Sequence, residues 1–155
     1  MLIIVSGAPG TGKSTLAHRL GRAIGCPVVS RDEIREGIVH AGTPDDDLMH
    51  TYRTFVATVS SLVAGGVTLI AEAAFQDGPW RPLLDLGPAR VIRCVAEPAV
   101  AKDRVVVRAA HPGAPSGVRE WQPIAAPLPT LVVDTTSGYS PSFDDVLTFA
   151  QTPLG

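Results

Sequence analysis

"GAPGTGKST", residues 7–15, is the stretch on which the reading of this chain turns. It follows an apolar run at 2–6 that has no polar alternation, as expected of a parallel strand covered on both faces. Behind it, Leu16, Ala17, Leu20, Ala23 and Ile24 recur at helical spacing over 13–24, and Gly25 marks the stop. The order is strand, glycine loop, helix.

Gly7, Ala8, Pro9, Gly10, Thr11, Gly12, Lys13 and Ser14 fit the pattern G-x-x-x-x-G-K-S/T in the context that the pattern requires. Its glycines let backbone N–H groups turn inward on a polyphosphate, and the helix start adds the positive end of a dipole. In such a loop Lys13 reaches the β and γ phosphates and Ser14 binds Mg²⁺, with Thr15 beside them as a helix residue. Nucleotide binding is the expectation.

The bulk composition agrees with one compact domain over residues 1–155: 45% of the residues are hydrophobic and 18% charged. A formal net charge of −2 gives no field for wrapping duplex nucleic acid. The first apolar run is too short for a signal peptide or a membrane span, which makes the cytoplasm the expected location. Cys26 and Cys94 stand far apart and read as buried thiols rather than a metal or redox pair. His18, His40 and His50 lack the spacing of zinc ligands.

Further strands are expected at 27–30, 67–71, 90–95 and 130–133, with helices at 32–40, 46–64, 80–86, 98–110 and 142–150. The aspartates of "AGTPDDD" are candidate caps for the helix at 46–64, and "HPGAPSG" (111–117) must be a loop. Five β units separated by helices mean an α/β fold with a mostly parallel sheet and right-handed crossovers.

The same residues narrow the chemistry. Lys102, in "AKDR", is the only lysine besides Lys13, and it does not make the N-K-x-D segment of a guanine-reading switch. "TLIAEAAF" does not end in the paired acids of an ATPase motor. What remains is a small phosphotransferase, which needs a carboxylate for the acceptor's proton and cations for the charge on the transferred group. Asp32 and Arg35 fall just past the second strand, three apart on one helix face, at the rim where open α/β sheets bind ligands. Glu72 ends a fully apolar strand, where a carboxylate is costly unless it faces the cleft, a metal-bound water or a cation. Arg104 and Arg108, four apart before the 111–117 loop, share a face and could swing onto the phosphates.

Together these pieces resemble the small P-loop kinases of the polynucleotide kinase, zeta toxin and chloramphenicol phosphotransferase type, with an AAA-like ATP-binding domain. The nearest local pattern is that of the phage-type polynucleotide 5′-hydroxyl kinase, whose second strand also runs into an R-D-x-x-R segment, here Arg31-Asp32-Glu33-Ile34-Arg35. The resemblance implies a three-layer P-loop fold with strand order 2-3-1-4-5, a lid at about 104–122, and ATP with Mg²⁺ as cofactors. It also implies Asp32 as general base, Arg35 on the acceptor side, Glu72 facing acceptor or metal shell, and Arg104 and Arg108 as lid residues. "VVDTTSGYSP" is similar to the segment near the adenine in these families, which puts Asp134, Thr135 and Thr136 beside the base.

For the acceptor pocket, Tyr52, Arg53, Phe55, Phe75, Gln76, Trp80 and His111 are candidates, although core packing explains several of them equally well. Trp121 either covers the site or packs its loop onto the core. The negative net charge and scarcity of lysine depart from a polynucleotide binder and favour a small hydroxyl-bearing acceptor over a polymer. Two other readings stay open: an ATP-sensing module without transfer chemistry, and a toxin or antibiotic-resistance kinase.

Overall fold

Along β1 (Leu2–Ser6) every residue is buried, and the side chains alternate between two separate cores. Leu2 and Ile4 join one with Leu69, Ala71, Val91, Phe55, Trp80 and Leu83. Ile3 and Val5 join the other with Leu16, Leu20, Ile70, Ile92, Val133 and Val146. A strand covered on both faces has no polar side to show, which is why its sequence does not alternate.

The computed structural model describes residues 1–44, 48–108 and 120–155. Its five strands form one parallel sheet in the order β2-β3-β1-β4-β5, with β2 at Val28–Ser30, β3 at Leu69–Glu72, β4 at Ala89–Val95 and β5 at Thr130–Asp134. The expected α/β class and strand order both hold. Helices α1 (Lys13–Ile24) and α6 (Phe143–Gln151) cover one face, while α3 (Met49–Ala64) and α4 (Asp77–Leu84) cover the other. Helix α2 (Arg31–His40) leaves the end of β2, and α5 (Pro98–Arg108) follows β4 with no buried residue.

The register aligns the functional ends of the strands: Val5 and Ser30 both pair with Glu72, and Val95 pairs with Asp134. The chain leaves β1 for β2 on one side and later fills β4 and β5 on the other. The loop after β1 therefore sits where the strand order reverses, the place where such sheets bind ligands.

Element ends differ from expectation by a few residues. Helix α3 starts at Met49 with Leu48 as its N-cap; the expected caps, Asp45 to Asp47, lie outside the described residues. Helix α4 starts at Asp77 rather than 80, since Asp77 accepts from Arg81 one turn on and Pro79 fits a first turn, where no intrahelical N–H is needed. Arg90 is 1% exposed and donates to the carbonyls of Phe149 and Thr152, so a buried guanidinium ties β4 to the end of α6.

Trp80 and Phe55 belong to the core under α3 and α4. Both are 0% exposed, and with Phe75 they pack edge to face at centroid separations of 5.3 to 5.8 Å. Phe55→Ala is expected to cost about 3–5 kcal/mol of unfolding free energy. Denaturant titration of the variant against wild type measures this.

Candidate functional site

The loop between β1 and α1 is held open by backbone conformations that favour glycine: φ is +81° at Gly10 and +76° at Gly12. Space makes the same demand at Gly10, where a Cβ would lie 2.2 Å from the carbonyl oxygen of Ala101 in α5. Gly12 is also the N-cap of α1, and no side chain caps that helix. The first-turn N–H groups of α1 are thus left for an anion.

Lys13 is only 3% exposed, and its Nζ donates to Ala8 O at 3.0 Å. The peptide that this carbonyl belongs to has Pro9 as its nitrogen partner and no N–H to offer a phosphate. Burial lowers the Lys13 pKa from its ordinary value, opposed first by the charge of Glu72 and then by that of Asp32. Glu72, 1% exposed at the end of β3, has its pKa raised by burial, opposed by Lys13 and by the Ser30 hydroxyl.

Glu72 Oε2 accepts from Ser30 Oγ at 2.7 Å and from Ser14 Oγ at 3.2 Å. A hydroxyl and a carboxylate meeting at the strand ends beside a phosphate loop are hard oxygen donors, the set that suits Mg²⁺ held by few protein ligands and by phosphate. Ser14 and Glu72 therefore fit that ion. No group of three or more His, Cys, Asp or Glu side chains able to hold a metal occurs among the described residues. Ser30 is a participant that sequence reasoning passed over. Its signal was its place, the last residue of β2 in register with Glu72.

Asp32 lies in the first turn of α2 and is held from both sides. Arg31 Nη1 donates to Oδ1 at 2.9 Å, and Arg108 Nη2, reaching across from the end of α5, donates to Oδ2 at 2.9 Å. Arg35 is partly buried on the same helix. Arg104 does not share the disposition of Arg108, although both are on α5. Its guanidinium is turned to the phosphate loop and β5, donating to Gly10 O at 3.3 Å, Thr135 Oγ1 at 3.1 Å and Thr135 O at 2.7 Å. Four residues put the two arginines on one side of the helix, but their guanidinium groups meet different partners.

A cleft of about 790 Å³ opens beside the loop, lined among others by Gly12, Ser14, Thr15, Arg104, Thr135 and Tyr139. Thr135 is buried on its wall, whereas Asp134 Oδ1 accepts the Thr136 N–H and Thr136 Oγ1 accepts the Glu97 N–H, so those two shape the turn. Hydrogen bonding to Thr136 lowers the Asp134 pKa. Tyr139, with Arg19 facing its ring at 5.6 Å, was not singled out in the sequence.

The acceptor candidates separate. Trp80 and Phe55 are core residues and offer no surface to a ligand, a correction that follows from their complete burial. Tyr52 and Phe75 are partly buried and pack edge to face at 5.4 Å, with Tyr52 Oη donating to Pro79 O at 2.9 Å. Arg53 is exposed, and Gln76 precedes α4 as its N-cap. Trp121 Nε1 donates to Ala74 O at 3.3 Å, fastening its segment to the loop after β3. His111 and the 111–117 loop lie outside the described residues.

Residues 2–122 match the family described as AAA domain. An uncharacterised protein of Mycobacterium tuberculosis is 32% identical over 70% of the chain; the chain spans about a quarter, 26%, of that relative's length. A solved structure from Chloroflexus aurantiacus, described as a candidate kinase, superposes with a TM-score of 0.82 at 26% identity, covering 99% of this chain and 98% of that one. A sugar kinase from Janibacter sp. HTCC2649 gives 0.65 at 19%, covering 96% and 92%. Chaetomium thermophilum Kti12 in complex with ADP-AlF3 gives 0.67 at 15%, covering 98% and 100%. The fold is that of a small P-loop kinase-like domain. No helix among the described residues is long and apolar enough to cross a membrane.

The lowered Lys13 pKa has a measurable consequence. A polyphosphate favours the charged ammonium, so ADP affinity should fall as pH rises through the pKa of the free protein's Lys13, which lies below 10.5. Calorimetric titration with ADP across alkaline pH tests it. Lys13→Arg, whose charge persists, should flatten the profile.

Proposed function

The chain belongs to the AAA domain family, and from that premise we propose that it is an ATP- and Mg²⁺-dependent kinase transferring the γ phosphate to a hydroxyl of a small molecule. The single observation that carries the reading is convergence. Asp32 lies close enough to Lys13 and Glu72 to act on both electrostatically, and its carboxylate is hydrogen-bonded by Arg108 from the far side of the cleft. A proton acceptor, a phosphate cradle and a cation at one rim are the parts that phosphoryl transfer needs.

In this mechanism the loop N–H groups and Lys13 would hold the polyphosphate, and Ser14 and Glu72 would hold Mg²⁺. When bound, the ion offsets negative charge on the phosphates. Asp32 accepts the acceptor's hydroxyl proton as the new O–P bond forms and the bond between the β-phosphate oxygen and the γ phosphorus breaks, leaving ADP. Arg108 has two alternative anionic partners, Asp32 and the transferred group. Moving from the first to the second would release the base while neutralising charge on the phosphoryl oxygens. Arg35, three residues along α2 from Asp32, would face the acceptor, with Tyr52, Arg53 and Phe75 on the opposite wall.

A small acceptor is supported by the net charge of −2, which gives no overall attraction to a phosphate backbone. The sugar kinase among the structural neighbours points the same way.

Asp32→Asn separates the kinase from an ATP-sensing module. With radiolabelled ATP and a panel of sugars, sugar acids, nucleosides and aminoglycosides, wild type should label one class. The variant should lose about 10²–10⁴-fold in transfer while binding ADP unchanged. A wild type that binds ADP but labels no acceptor, with slow hydrolysis equal in both proteins, would sink the kinase reading.

A further inference from the structure

We infer that Arg104 and Thr135 are positioning residues for the phosphate loop, holding its carbonyl oxygens outward so that its N–H groups face the nucleotide. The inference rests on the nucleotide reading above. A trans peptide is planar, with its C=O and N–H pointing in opposite directions. Every N–H that a loop turns toward phosphate therefore sends the preceding carbonyl the other way, where it needs a donor.

The donors for two such carbonyls can be named. Gly10 O, whose peptide carries the Thr11 N–H, accepts from Arg104 Nη1 at 3.3 Å. Thr11 O, whose peptide carries the Gly12 N–H, accepts from Thr135 Oγ1 at 2.8 Å. Arg104 can only donate, so the Thr135 hydroxyl accepts from Arg104 Nη1 at 3.1 Å, and its one proton goes to Thr11 O at 2.8 Å rather than to Val95 O at 3.4 Å, the longer and weaker contact. The order runs from arginine to hydroxyl to loop carbonyl.

Both supports are fixed from behind. Thr135 N donates to Val95 O at 2.9 Å, fastening the residue after β5 to the end of β4, and Arg104 Nη2 donates to Thr135 O at 2.7 Å. Helix α5 lies so close to the loop that Gly10 can carry no side chain, and this approach lets Arg104 reach two elements at once. The Ala8–Pro9 peptide is the instructive exception. It has no N–H to present, and its carbonyl instead takes Thr11 Oγ1 at 2.7 Å and Lys13 Nζ at 3.0 Å.

ADP titration in the presence of Mg²⁺, with the thermal midpoint of each unliganded variant measured alongside, tests this. Thr135→Val keeps the shape and removes the hydroxyl, and should weaken ADP about ten-fold. Thr135→Ser should return to within about three-fold of wild type. Arg104→Met should match Thr135→Val, and Arg104→Lys should stay weak because one ammonium does not reproduce the planar fork. A purely structural role would lower the midpoint and leave ADP affinity of the folded protein intact.

Thr135→Val and Arg104→Met that fold and bind ADP within two-fold of wild type would overturn the assignment, as would Thr135→Ser binding as weakly as Thr135→Val. If Thr135→Val does not fold, Arg104→Met against Thr135→Ser gives the same decision. A wild type that fails to bind ADP would instead overturn the nucleotide reading, and this assignment with it.

Discussion

An ammonium group enclosed by protein is the constraint around which this site is built. Lys13 is nearly without solvent contact, and removing a charge from water costs several kcal/mol unless partners are supplied. Ala8 O, Glu72 and Asp32 supply them, each from a different part of the chain. Burial pulls the Lys13 pKa down and pushes that of Glu72 up, disfavouring both charges, while each group's charge favours the other's. An incoming polyphosphate adds a further anion to a cation that is already desolvated, where the interaction is stronger than at a surface.

The sheet register is what makes this pairing possible. Glu72 ends β3, which lies between β1 and β2, so its carboxylate stands beside both the loop after β1 and the last residue of β2. Ser14 from α1 and Ser30 from β2 can then meet one oxygen of one carboxylate, Oε2. Helix α5 closes the other side, with Arg104 committed to the loop and Arg108 to Asp32. Two arginines a turn apart thus serve two different elements.

Much of this was legible in the linear chain because local rules govern it. The loop pattern, the unalternating first strand and the Gly25 stop each follow from backbone conformation or burial on two faces. Glu72 stood out because an acid ending an apolar strand carries a desolvation cost that calls for a reason, and Asp32 because it lies just past a strand at the rim where such sheets bind ligands. The aromatic residues did not separate in the same way. Phe55, Phe75 and Trp80 have the same composition cue, yet Phe55 and Trp80 are sealed in the core while Phe75 is partly exposed at its edge. Ser30 carried no cue except its position, since a serine at a strand end is ordinary until a carboxylate is placed opposite it.

The sequence by itself determined the α/β class, the strand–loop–helix unit and the residue types able to hold a polyphosphate, because these depend on period, on φ at glycine and on contacts within one turn. The tertiary structure decided which partner each polar group meets. Arg104 and Thr135 are thirty-one residues apart, and Arg108 and Asp32 seventy-six; their pairing exists only once β4, β5 and α5 have been laid against the loop. Separation along the chain carries no directional information at that range, whereas the parallel sheet brings all five strand ends to one rim and so chooses the contacts.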